Sequence, residues 1–278
     1  MNLVERDGLR RMTGCFLGGL LLATLVPSAA IAQAPIASSN FVGFEDPLSE
    51  NGAWTAMTSM APQGTQFQKN NMALPNSAIG PGNNHAGART TAAVPTDHYS
   101  EIVVGHVGLT NPGQIGPYVG PLVRVQTSGA SIDSDYMWWG TQGNGDNNLL
   151  YRIDATGTSY VAIKLLPHPP FNDGDRVRLI ARGPVIYGIR NGVREFIYNT
   201  GANAIKYPTG TAGMLAFVPV GRPLTDATIT SWSTGPAPVS SGTWASSTFA
   251  GTENPLDEGD RWYPLAGAPG GNGAPYSG

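Results

Sequence analysis

The run Tyr136-Met137-Trp138-Trp139 holds the densest recognition chemistry in the chain. Aromatic faces stack on sugar rings while neighbouring polar groups hydrogen-bond the ring hydroxyls. Successive residues of a strand point to opposite faces, so one of Trp138 and Trp139 has to face out of the core or into a groove. Arg124 and Arg152 stand on candidate neighbouring strands and, with Arg178, are placed to reach the same surface. A guanidinium pairs bidentately with carboxylate or sulfate, so Tyr136, Trp138, Trp139, Arg124 and Arg152 form a candidate binding set for an acidic polysaccharide. This assumes a sheet order; the alternative is that loops cover both tryptophans.

The carboxylates suggest two other chemistries. Asp146, in the run Gly143-Asn144-Gly145-Asp146-Asn147-Asn148, offers oxygen donors on a loop beside Asp133 and Asp135, the hard-donor set that calcium takes. The spacing is not that of an EF-hand, and Asn/Asp/Gly turns also occur without metal. Glycoside hydrolysis needs two carboxyl groups flanking the scissile bond. Asp133 and Asp135 would share a strand face, but no glutamate follows them, and Glu101 is the only glutamate between Glu50 and Glu195. Among the histidines, His106 shares strand parity with Ile102 and Val104, His85 and His98 lie in or near loops, and His168 sits among prolines. None has metal-ligand spacing to another. No glycine loop of the phosphate-cradling kind precedes a helix, which argues against a nucleotide cofactor.

The elements that would position these residues are strands. In residues 176–182, Val177, Leu179 and Ala181 alternate with Arg176, Arg178 and Arg182, the period of a strand with one buried face, and Ile180 is the exception. Gly183-Pro184 and Asn191-Gly192 punctuate the following runs, and Asn-Gly between β-rich segments is a strong hairpin signal. Further strands are predicted at 99–107, 118–126, 135–141, 149–154, 160–166 and 227–233, with long loops and two short strands in residues 63–96. With no helical periodicity, the fold class is all-β, a two-sheet antiparallel β-sandwich of jelly-roll type.

Composition agrees with that class. Of 278 residues, 37 are Gly and 23 are Pro, and only 13% are charged, a turn-rich chain with apolar residues enough for a core. The formal net charge is −3 and the lysines are Lys69, Lys164 and Lys206, so a nucleic-acid footprint is missing. Residues 1–32 read as a secretory signal, with Arg6, Arg10 and Arg11 before an apolar stretch and Ala30-Ile31-Ala32 as the cleavage site. The apolar stretch is too short to span a bilayer. The mature protein is therefore expected to be secreted or periplasmic, to begin near Gln33 and to lose Cys15, the only cysteine.

The chain also repeats itself. Residues 41–54 (FVGFEDPLSENGAW) align without a gap with residues 249–262 (FAGTENPLDEGDRW), sharing Phe, Gly, Glu, Pro, Leu, Glu and Trp. The organisation read from this is a signal at 1–32, a sandwich domain at 33–234, a linker at 235–244 and a repeated opening motif at 245–278. The repeat either starts a second domain or is a tail that docks on the same kind of edge or on another protomer, a route to self-association.

On these motifs the chain resembles the concanavalin A-like lectin/glucanase superfamily in its laminin-G-like branch. The opening run FVGFEDPLSENGAW, the strand DHYSEIVVGHV, the hairpin region NDGDRVRLIARGPVIYGIRNGV and the closing runs TAGMLAF and DATITSW carry the likeness over most of residues 40–234. The resemblance implies two curved antiparallel sheets, often a carbohydrate-facing concave surface, and a structural calcium near the opening strand, with Glu45 and Asp226 as its ligands. Glucanases of the superfamily carry a Glu-x-Asp-x-x-Glu strand, which is missing here, as are the Arg-rich strand and Gln-x-His motifs of lyases of similar fold. A secreted, non-catalytic carbohydrate-binding module is the leading expectation; a polysaccharide-cleaving enzyme and an assembly protein are the alternatives.

Overall fold

The computed structural model describes residues 34–59, 66–77, 85–110, 116–143, 148–154, 159–166, 170–199 and 206–238. Their strands, in chain order, begin with β1 (Ala37–Ser39), β2 (Phe44–Glu45), β3 (Trp54–Ala56), β4 (Phe67–Asn70), β5 (Ala73–Pro75) and β6 (Ala86–Thr90). Then come β7 (His98–Val107), β8 (Leu109–Thr110), β9 (Tyr118–Val125), β10 (Asp135–Gly143), β11 (Asn148–Asp154) and β12 (Ser159–Leu166). The last are β13 (Arg176–Arg182), β14 (Val185–Arg190), β15 (Val193–Asn199), β16 (Thr211–Phe217) and β17 (Ala227–Pro236). No α-helix occurs among the described residues, and the region 63–96 holds three strands, β4, β5 and β6, where two were expected.

The strands form two sheets that do not close into a barrel, a β-sandwich. One runs β15-β14-β13-β7-β17-β5-β4-β2, with β1 also paired to β17; the other runs β12-β11-β10-β9-β16-β6-β3, with β8 paired to β10. All pairings are antiparallel except that of the short β8. The hairpin expected from Asn191-Gly192 joins β14 to β15, with φ of 52° and 83° at the two turn residues. β17 runs on to Pro236, paired with His98, so the sheet extends two residues into the stretch read as linker.

The two inner faces make the core. Val177, Leu179 and Ala181 of β13 turn inward as their alternation requires, beside Ile102 and Val104 of β7. Ile180 is buried as well, on the opposite face, where it packs with Tyr99 and Tyr187. The facing sheet contributes Val119, Val123, Tyr136, Trp138, Leu150, Ala212, Met214 and Ala216. Polar ties cross the layer: Ser100 of β7 donates to the Gly213 carbonyl of β16 at 2.6 Å, and the Trp232 indole N–H of β17 reaches the same carbonyl at 3.3 Å while donating to the Ser100 hydroxyl within its own sheet at 2.9 Å. Such bonds offset the cost of burying the donors and fix how the sheets lie on one another.

Candidate functional site

Alternation along β10 decides where the predicted recognition residues go. Tyr136 and Trp138 turn into the core and are 1% and 0% exposed, whereas Met137 and Trp139 lie on the outer face of the sheet. Trp138 is walled in by Phe171 and Phe196, with ring centroids 5.4 and 5.0 Å away. Gly188 makes that fit possible, since a Cβ there would stand 2.3 Å from the Phe196 ring and 2.7 Å from Trp138. Trp139 is half-buried and stacks on Tyr118 at 3.8 Å; Phe217 lies beyond Tyr118 at 4.8 Å and Tyr151 on the other flank of Trp139 at 5.3 Å. These four rings form a cross-strand row over β16, β9, β10 and β11.

The other candidates are not on that surface. Arg124 occupies a bulge in β9, where Val123 and Arg124 together oppose Ala212, and it takes a positive φ of 57°. The bulge re-aims its side chain between the sheets. The Arg124 guanidinium, 1% exposed, donates to the Gly183 carbonyl at 2.6 Å and the Tyr207 carbonyl at 3.4 Å. His98 holds the bulge from below, accepting the Arg124 amide N–H at Nε2 (3.1 Å) and donating from Nδ1 to the Pro95 carbonyl at 2.8 Å, the neutral tautomer. Burial, with Arg124 adjacent, lowers the His98 pKa and keeps it neutral.

Arg152 pairs across the strands with Tyr136 and so faces inward, where its guanidinium grips the Asp154 carboxylate at 3.0 to 3.2 Å. Tyr207 donates to the same carboxylate at 2.6 Å, and Lys206 lies 2.9 Å from it. Burial is the largest single influence on Asp154 and pushes its pKa up, but the hydrogen bonds from Arg152, Tyr207 and Lys206 together outweigh it and hold it at about 2. Tyr136, Arg124 and Arg152 thus belong to an internal polar network closing one end of the sandwich. They are not arranged as a sugar-facing set with Trp139.

Of the expected metal ligands that are described, Glu45, Asp226 and Asp133 carry other contacts. The Glu45 carboxylate accepts the Glu50 amide at 2.9 and 3.1 Å and faces Lys69, while that of Asp226 is bonded to Arg222 at 2.6 Å. Asp133 pairs with Arg89 and accepts the Ser59 amide at 3.1 Å; Asp146 lies outside the described residues. Asp135 is fully buried with no partner for either carboxylate oxygen. Burial, reinforced by Asp133 and Asp154, raises its pKa well above the usual carboxylate range and so favours the neutral acid. Calcium takes six to eight oxygens, and no group of three or more acidic, His or Cys side chains is placed to hold a metal among the described residues. The residues do not fit the calcium that the resemblance implied.

What the outer face does offer is a groove of about 410 Å³ at the end of β3, β6, β16 and β9. Thr55, Arg89, Thr90, Thr127, Gly210 and Thr211 line it, with residues 91–94 as one wall. Thr91 in that wall donates to the Gly52 carbonyl at 2.7 Å and the Thr90 hydroxyl accepts the Ala92 amide at 3.1 Å, which anchors the wall to the turn before β3. The opposite wall rests on the Arg124 bulge: the Gln126 side-chain amide donates to the Arg124 carbonyl at 2.9 Å and the Thr209 carbonyl at 2.6 Å. A Cβ on Gly210 would stand 2.5 Å from the Arg124 carbonyl carbon, and its φ of 145° also favours glycine. Arg89 pairs with Asp133 through one guanidinium nitrogen and keeps further donors.

This groove was not visible in the sequence. Half of its lining residues are threonines, which are ordinary strand formers, and only the pairing of β3, β6, β16 and β9 gathers them. Among the other residues singled out, Arg178 and Arg176 are paired with Glu101 at 2.8 and 2.5 Å, and His106 is exposed beside Asp173 at 2.9 Å.

No protein-family model and no curated protein matches the chain. Solved structures do. The carbohydrate-binding module CBM66 from Bacillus subtilis is similar at 10% identity over 66% of this chain and 92% of its own, with a TM-score of 0.43. The potassium-bound carbohydrate recognition domain of Emp46p is similar at 12% identity over 72% of this chain and 96% of its own, with a TM-score of 0.45. A beta-glucanase homologue from Mycobacterium abscessus is similar at 11% identity over 72% of this chain and 100% of its own, also at 0.45.

Proposed function

We propose that this chain is an exported carbohydrate-binding module that recognises a glycan without cleaving it. The observation that carries the reading is the open groove on the outer sheet face, where five threonines and Arg89 line a space of about 410 Å³. Thr90, Thr91 and Thr211 spend their hydroxyl protons on the Ala53, Gly52 and Thr90 carbonyls, which leaves the Thr55 and Thr127 hydroxyls, able to donate and accept, beside a planar guanidinium to match the alternating donors and acceptors of a sugar ring. The walls are held by backbone hydrogen bonds and by the Arg124 bulge, so little side-chain freedom is lost on binding. The nearby carboxyl groups suit recognition better than hydrolysis: Asp133 is tied to Arg89 and the Ser59 amide, and Asp135 is buried. Export rests on the signal-like segment at residues 1–32 and is tested by sequencing the N-terminus of the protein recovered outside the cell, expected near Gln33.

The test is affinity for a panel of bead-coupled polysaccharides, with Thr55→Val/Thr127→Val compared with the parent. Valine keeps the shape and deletes the hydroxyl; at about 1 kcal/mol per hydrogen bond the double variant should bind about 30-fold more weakly. Trp139→Ala, on the same face but away from the groove, should bind like the parent. Unchanged binding in the threonine variant with loss in Trp139→Ala would move the site to the aromatic row.

A further inference from the structure

The opening ribbon, Ala37 to Trp54, can be read against its repeat position by position. The match extends beyond residues 41–54, because Ala37-Ser38-Ser39 corresponds to Ala245-Ser246-Ser247, so ten of the eighteen positions are identical. The four buried residues of the first ribbon, Ser39, Phe41, Leu48 and Trp54, are all among them, as Ser247, Phe249, Leu256 and Trp262. Seven of the eight changed positions, including Val42 and Phe44 at 74% and 72% exposure, are solvent-facing in the first ribbon, and the eighth, Ser49, is half-buried.

The residues that make the polar contacts of the first ribbon recur in the repeat as well. Glu50 is the hub: its carboxylate accepts Ser39 Oγ at 2.8 Å, Trp54 Nε1 at 2.8 Å and Lys69 Nζ at 3.3 Å. Glu45 caps the Glu50 amide. Glu258, Ser247, Trp262 and Glu253 stand at the corresponding places. Gly43, with φ of 88°, is matched by Gly251; Asn51, at 57°, is matched by Gly259, which adopts that conformation more readily.

The first ribbon fills one seat. β1 pairs with β17 through Ala37 to Thr234, Ser38 to Ser233 and Ser39 to Trp232, the Trp54 ring lies 4.5 Å from that of Trp232, and the Leu48 amide donates to the Phe67 carbonyl at 2.7 Å. The repeat follows β17 directly. An antiparallel return setting Ala245 against Thr234 leaves residues 235–244 between them, enough to close a hairpin loop. We infer that residues 245–262 are a second ribbon that competes with residues 37–54 for this single seat, so the sandwich exchanges one ribbon for the other and releases the N-terminal one. The inference is independent of glycan binding.

Disulfide trapping in the full chain tests it, with Cys15→Ser so that only introduced thiols are present. Ser38→Cys/Ser233→Cys reports the first ribbon in its seat, and Ser246→Cys/Ser233→Cys reports the second. The second pair should form a bridge within the monomer. Glu50→Gln, which weakens the first ribbon without removing core volume, should increase the bridged fraction several-fold, and Trp262→Ala should abolish it. No bridge even with Glu50→Gln, a bridge indifferent to Trp262→Ala, or a bridge found only between copies would overturn the exchange.

Discussion

Asp135 and Asp154 stand near one end of the sandwich and respond to pH in opposite senses. Asp135 is a buried acid whose folded pKa lies above its unfolded value, so its contribution to stability is fully present below about pH 3.9 and is lost as pH rises towards the folded pKa. Asp135→Asn, which keeps the shape and cannot ionise, should therefore raise the melting temperature at neutral pH. The gain should shrink below about pH 4, as thermal unfolding at a series of pH values would show. Asp154 is held at about 2, so its stabilisation is present above the unfolded pKa and is lost as pH falls through about 2. The depression corresponds to on the order of 2 kcal/mol, which Asp154→Asn should remove at neutral pH. Neither role was legible in the sequence, where Asp133 and Asp135 looked like a pair on one strand face with metal-binding potential. A period-two pattern places both on one side of a strand, but it does not show that the Ser59 amide and Arg89 take up Asp133 while Asp135 is buried without a partner.

At the scale of the strand, β10 was read correctly as an element and only half resolved as a site. Its alternation required Trp138 and Trp139 to part, and they do, but Trp138 is the core residue and Tyr136 goes with it. Trp138→Ala should cost about 3–5 kcal/mol through the cavity left between Phe171 and Phe196, measured by chemical denaturation. Trp139→Ala, at a half-buried position, should cost clearly less. Gly188→Ala on β14 should destabilise by about 1–3 kcal/mol, because the added methyl meets the Phe196 and Trp138 rings. Arg124 shows why side-chain placement was beyond the sequence. In a regular strand it would follow the alternation of its neighbours; a bulge opposite Ala212 and a positive φ turn it between the sheets instead. The strand boundaries came out within a few residues because turn residues mark them, whereas a bulge carries no such mark here.

For the whole molecule, the all-β sandwich follows from alternation and turn chemistry distributed over some 200 residues, a signal with many independent parts. The groove follows from none of them, because it exists only where four strands distant in sequence end side by side. Affinity for a glycan should be indifferent to chelators, since Glu45, Asp133, Asp154 and Asp226 are committed to Lys69, Arg89, Arg152 and Arg222; titration with and without EDTA checks this. The measurement that bears most directly on the account is a structure of the protein with an oligosaccharide that it retains. The expected result is a sugar ring between Thr55 and Thr127 with hydroxyls in reach of Arg89. A sugar stacked on Trp139 and Tyr151, with the groove empty, would contradict it.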